Sequence, residues 1–413
     1  MNKFFKVLLV GLLGLSLVAC TPSENKVDGD KDGDKSDVAP VALKVWGSQE
    51  DQEMLQTMIN EFTAANPEKV FEISLGVVSE ADAKTKYLED PAAAADVFAF
   101  ANDQLRDLVN AGALYKVTRN TDDFQSVYAQ GTIDAASIDG QLYAYPMTAD
   151  NGYFMYYDSR VLSAEDVLSF EQMLDKAHEA GKKIFMDVSN GWYIASFFLG
   201  NGGTLTLDEN GNQLTNFNDE NGVLAAEAIK NITAHPAFIT GDDSVLIAGL
   251  TDGTIAAGVS GTWNAETISG ILTDGYNATK LPSYNANDKM VQMGSFAGYK
   301  LVGVNSQTKA PVEAMDLAAW LTNEKNQATR FELRQMGPAN INVANSDAVK
   351  ANLALAALAN QSQYATSQKD VTGTYWAPAE ALGTTLEAKD YTKTIQELLD
   401  EMVTQITTVP TSN

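Results

Sequence analysis

The side chains that could do chemistry form an uneven set. There is one cysteine, Cys20, and there are two histidines, His178 and His235, far apart in the chain. His178 lies in an amphipathic helical pattern and His235 directly precedes Pro236, so neither reads as a catalytic base or a metal ligand. The G-x-S-x-G elbow that exposes a serine nucleophile is missing. Carboxylates are abundant, 54 Asp and Glu against 28 Lys and Arg. Acids beside aromatics are the groups of glycoside hydrolysis, which needs two carboxyls at a defined separation. With so many acids chance pairs are inevitable, no pattern marks one pair, and no catalytic residue is assigned. Asp28, Asp30, Asp32 and Gly33 match the D-x-D-x-D-G opening of a calcium loop. The loop's twelfth position is Ala39, where the bidentate Glu belongs, and no helical pattern flanks it. No metal and no cofactor are expected.

Cys20 carries a different message. Lys3 and Lys6 precede an apolar run from Val7 to Val18, followed by Ala19. This is the pattern of a secretory leader, and it is too short to stay as a membrane span. Leu17-Val18-Ala19-Cys20 resembles a bacterial lipobox. That resemblance implies a leader over 1–19, a lipid on Cys20, and anchoring to the outer face of the cell membrane. Residues 20–40 alternate charges and contain almost no large apolar side chain. Such a stretch cannot offset the cost of ordering, so it reads as a disordered tether. A net charge of −26 argues against nucleic acid, which demands a basic footprint. With Cys20 committed to lipid no disulfide is possible, so the rest must rely on packing.

From Val41 onward the chain is too long for one core, and two lobes are expected. Strand and helix patterns alternate. Ala42–Trp46, Val70–Leu75 and Asp96–Phe100 read as strands, and Met54, Leu55, Met58, Ile59 and Phe62 form one helix face. After Pro146 a second series begins: a strand at Tyr153–Tyr157, a helix at Phe170–Ala180, a strand at Lys183–Met186 and a helix opening at Trp192. It continues with a hairpin turning at Asn210-Gly211, a helix near Gly222–Thr233 and a strand at Ile255–Val259. The alternation predicts open parallel α/β sheets.

Several landmarks recur in order: Leu43-Lys44-Val45-Trp46; Asp96 to Asp103; Ala111-Gly112-Ala113-Leu114; Gly140 to Pro146; Tyr156-Tyr157-Asp158; and Gly258 to Trp263. Together they resemble the extracellular solute-binding proteins of ABC sugar importers, most closely the maltose/maltodextrin-binding branch. The resemblance implies a periplasmic-binding-protein-like fold, with two α/β lobes and a ligand between them. It places chain crossings near Pro146–Asp150, Ala297–Leu301 and Ile341–Asn345. The first lobe is then 41–147 plus 300–343, and the second 148–299 plus 344–413. It also implies a monomer that binds maltodextrin-type sugar and serves separate permease and ATPase chains.

A sugar ring offers apolar faces and a hydroxyl rim, so its site wants aromatic platforms and carboxylates or amides. By resemblance, Phe100 and Asp103 match first-lobe contacts, although Gln104 stands where a basic residue is common. Asp150 matches an acid beyond the Tyr-Pro. Trp192, Trp263 and Trp376 match second-lobe aromatics, and Glu50 and Asp51 lie where the family also touches sugar. Asp103 also fits a helix N-cap, and Glu50 and Asp51 fit first-turn acids. Trp46 and Trp320 read as core.

Overall fold

The computed structural model describes residues 39–408. The leader, Cys20, the calcium-like run and all but the end of the proposed tether lie outside the described residues.

Ten strands share one hydrogen-bonded sheet. They are β1 (Val41–Gly47), β2 (Phe71–Val77), β3 (Val97–Ala101), β4 (Ala144–Asp158), β5 (Lys183–Phe185), β6 (Phe238–Ile239), β7 (Ile255–Gly261), β8 (Tyr276–Thr279), β9 (Ser295–Val304) and β10 (Ala365–Ser367). The order is β6-β5-β7-β4-β9-β3-β1-β2, with β8 on β4 and β10 on β9. The two wings, β2-β1-β3 and β7-β5-β6, are parallel, as strand–helix alternation demands. The centre departs from the expected pattern. There β4 and β9 run antiparallel to each other and to the wing strands beside them. The stretch read as a strand at Tyr153–Tyr157 is only the last part of the 15-residue β4.

Two cores explain why β4 is so long. Leu43, Val45, Met58, Phe62, Tyr145, Met147 and Val302 pack in one. Tyr153, Met155, Phe170, Ile184, Phe197 and Phe296 pack in the other. The polar residues Thr148, Asp150 and Asn151 lie buried between the two apolar halves of the strand. β9 repeats the arrangement, with Phe296 in one core and Val302 and Val304 in the other. Its ladder with β4 is irregular between Gly298 and Leu301. A third segment meets the same place, where the Ala149 amide donates to the Gly337 carbonyl at 3.0 Å.

Helix α1 (Gln52–Ala65) buries all five residues of its expected apolar face. Trp320, on α3 (Pro311–Leu321, with α2 being Gly191–Gly200), donates its indole N–H to the Met58 carbonyl at 3.0 Å and meets Phe62 edge-on. The hairpin pairs Leu205–Leu207 with Gln213–Thr215. Its connection is wider than an Asn-Gly turn, because the Asp208 carboxylate accepts from the Asn210 and Asn212 amides and organises the loop. Gly211 takes the left-handed conformation there.

Candidate ligand site

The parallel strands β1, β2 and β3 end at one edge, the position where open α/β sheets present ligand-binding loops. Their following loops carry Glu50 and Asp51, then Glu80, then Asn102 and Asp103. Placement alone does not make them available.

Asp51 is buried and accepts from Arg330 Nη1 and Arg334 Nε, each at 3.2 Å. Its charge is committed to α4 (Glu324–Arg334), which corrects the expectation that it faces ligand. Glu50 beside it is exposed. Phe100 is a second correction, being fully buried against Phe98, at 5.7 Å between ring centroids, and Leu301. Residues two apart on a strand share a face, and Phe98 already holds that face in the core. Asp150 is the third. It is 1% exposed, accepts from Thr262 Oγ1 at 2.7 Å and from the Gly337 amide, and its other oxygen is buried. It braces the crossing between β4, the end of β7 and the third segment.

Asp103 is placed differently. It is half-buried, and its Oδ1 accepts from Gln368 Nε2 at 2.7 Å. Gln368 Oε1 in turn accepts from the Trp192 indole N–H at 3.0 Å. Burial pushes the Asp103 carboxyl up to about 6, with its backbone hydrogen bond, Lys84 and Gln368 pulling in the other direction. Gln104, where a basic residue was looked for, is buried and donates to the Glu80 and Ala81 carbonyls, so it fixes the two loops together.

The tryptophans gather on the other side. Trp192 opens α2, whose N-cap Asn190 accepts from the Trp192 amide, and Tyr153 packs on the indole at 4.5 Å. The Trp192 and Trp263 rings lie 5.8 Å apart at 42°. Trp263 Nε1 donates to Asp243 Oδ2 at 2.7 Å. The Trp263 ring also lies so close to Gly261 that an added Cβ would fall 1.9 Å from it, so only glycine fits at that strand end. Trp376, on α5 (Gly373–Glu387), rests edge-on against Phe296 and Tyr375. All three indoles remain partly exposed.

Residues 57–357 match the model of the bacterial extracellular solute-binding protein family. The chain belongs to this family. A curated relative, the galactooligosaccharide-binding protein of Bacillus subtilis (strain 168), is 29% identical over 393 residues, 91% of this chain and 90% of that one. A solved structure described as being with acarbose is 32% identical, with a TM-score of 0.82, over 89% of this chain and 98% of that one. The maltodextrin-binding protein of L. casei BL23, solved without ligand, shares the fold at 22% identity and a TM-score of 0.75, over 89% and 99% of the two chains.

In this solute-binding protein four polar groups escaped sequence reasoning: Glu80, Asp243, Lys300 and Gln368. None lies in an apolar period or a recognisable motif, and each becomes notable only through what the fold brings beside it. Lys300 sits beside the irregular step of the β4–β9 ladder, 3.8 Å from Glu80 and 5.7 Å from the Trp263 ring centroid. Burial works against its charge, yet Glu80, Asp150 and Asp51 outweigh it and hold the ammonium above the ordinary lysine value. The two histidines also meet, with ring centroids 5.9 Å apart. Among the described residues no group of three or more His, Cys, Asp or Glu side chains is placed to hold a metal.

Proposed function

We propose that this solute-binding protein is a lipid-anchored receptor that captures malto-oligosaccharides and delivers them to an ABC importer with separate permease and ATPase chains. The observation that carries the reading is the partly exposed ring pair Trp192–Trp263, 5.8 Å apart, beside the polar chain Trp192–Gln368–Asp103, with Trp376 also partly exposed. Partly exposed indoles offer flat apolar faces to sugar C–H groups, and the amide and carboxyl offer partners to hydroxyls. The lobes are 41–147 with 300–343 and 148–299 with 344–413. A sugar touching both favours their closed arrangement by its differential affinity for that state. The protein acts as a monomer and performs no turnover.

The Bacillus subtilis relative favours one alternative, a galactooligosaccharide in the same site. Calorimetry on the full-length protein with maltotriose and a galactooligosaccharide, combined with product analysis, decides between them. Saturable maltotriose binding without cleavage supports the proposal. Preference for the galactosyl ligand moves it to the alternative, cleavage makes the protein an enzyme, and silence to both overturns the sugar reading. Anchoring has its own test. Cys20→Ser should release the protein into the medium or leave it unprocessed, with sugar affinity unchanged; a processed, still lipidated variant would contradict it.

A further inference from the structure

Lys300 is 7% exposed, yet among the described residues its ammonium makes no hydrogen bond. Its nearest opposite charge, Glu80 Oε2, stands at 3.8 Å, outside hydrogen-bond distance. Glu80 is also 7% exposed, and its carboxylate accepts no hydrogen bond among the described residues. This is an unusual arrangement. Taking two charges out of water is costly, and the attraction between them compensates only when further hydrogen bonds satisfy both groups. Here the tips of both side chains keep contact with solvent, so three donors and a pair of acceptors stand side by side and open.

Their surroundings indicate what the pair addresses. The β4–β9 ladder shifts register on both sides of Lys300, with the extra residues on β4, while β9 itself pairs regularly with β3 from Lys300 to Val304. Such interruptions of a ladder concentrate beside binding sites. The Lys300 ammonium lies 5.7 Å from the Trp263 ring centroid. Glu80 is steadied from behind, because its carbonyl accepts from Gln104 Nε2 at 2.8 Å and from the Ala101 amide. The cation comes from the strand shared by both cores, the anion from the loop after β2, and the aromatic from the end of β7.

We propose that Lys300 and Glu80 form a donor–acceptor clamp for two adjacent hydroxyls of the sugar ring seated at Trp263, and that the clamp selects an uncharged sugar there. The inference rests on the oligosaccharide reading above. A hydroxyl both donates and accepts, so one of two neighbours accepts from the ammonium while the other donates to the carboxylate. Because the two charges cancel, an acidic sugar meets Glu80 and a basic one meets Lys300, and each is disfavoured.

The test measures affinities of the full-length protein, Lys300→Met and Glu80→Gln for maltotriose, a galactooligosaccharide and maltobionate, whose end carries a carboxylate. Loss of a hydrogen bond from a charged group lowers affinity by roughly tenfold or more, so each variant should weaken neutral-sugar binding to that extent. Glu80→Gln should also raise the ratio of maltobionate to maltotriose affinity, which a merely structural role would not move. A melting curve without sugar shows whether each variant folds. If Lys300→Met does not, the nearly isosteric Glu80→Gln decides. Wild-type binding with unaltered variant affinities and an unaltered ratio overturns the clamp alone. A wild type silent to both neutral sugars overturns the oligosaccharide reading and the clamp with it.

Discussion

The acids Asp51 and Asp150 and the tryptophans Trp192, Trp263 and Trp376 looked equally suited to holding a sugar, and the fold treats them oppositely. Asp51 and Asp150 are buried with their charges committed to arginines, a hydroxyl and a backbone amide. Phe100 is drawn into the core with them. Trp192, Trp263 and Trp376 have neighbours too, but each keeps part of its ring at the surface. A residue type suited to ligand contact therefore stays accessible only where the scaffold does not need it first. A carboxylate near a buried arginine is claimed electrostatically, and an aromatic on a doubly buried strand is claimed by its neighbours. An indole at the mouth of a strand or helix can hold its N–H partner and still present a face.

The contrast breaks most readily at Asp51. Asp51→Ala leaves the buried Arg330 without its ion-pair partner, while Arg334 keeps Glu266 at 2.9 Å, and loss of one member of a buried ion pair costs about 3–5 kcal/mol. The melting temperature should fall sharply while the sugar affinity of the folded fraction stays near wild type. An affinity loss without a stability loss would return Asp51 to the site. The tryptophan pair comes next. Trp320→Ala should lower stability by about 3 kcal/mol through an opened core and leave affinity intact. Trp263→Ala should cost about 2 kcal/mol in binding, about thirtyfold, with little change in melting. Exchange of these two phenotypes would invert the comparison.

Asp103 sharpens the contrast, because it is the candidate acid left half-buried. Its carboxyl titrates near 6 in the folded protein, above its ordinary value of 3.8. The folded state therefore holds a proton that the unfolded chain has released between about pH 4 and pH 6, and stability should fall as pH rises through that window. Melting curves should show this slope, and Asp103→Asn should flatten it. The smallest effect belongs to exposed Glu50. Glu50→Ala should change stability by less than about 0.5 kcal/mol, and a large change in affinity would show that the exposed acid, not its buried neighbour, serves the ligand.

Much of the architecture was legible in the sequence because hydrophobic period reports burial directly. The α1 face, every wing strand except the two-residue β6 and the core role of Trp320 follow from spacing alone. The central strands were harder, since β4 changes cores midway and its polar middle resembles a loop. Placement was legible where a residue's neighbours are local, as for Trp263 packed on Gly261. It was illegible where availability depends on distant partners. Nothing near Asp51 announces Arg330, and nothing near Lys300 announces Glu80. Strand parity was available for Phe100, because Phe98 two residues earlier already points to the core.

The place of β9 in the sheet has a consequence for the order of folding. It lies between β3 and β4, yet both precede it in the chain by a long stretch. A chain emerging N-terminus first holds two strand edges that cannot be joined until residues 295–304 arrive. Neither core can close early, and pairings this distant in sequence form slowly. The same connectivity that ties the two halves together keeps the young chain unfinished until most of it is present, a state compatible with threading across a membrane before folding.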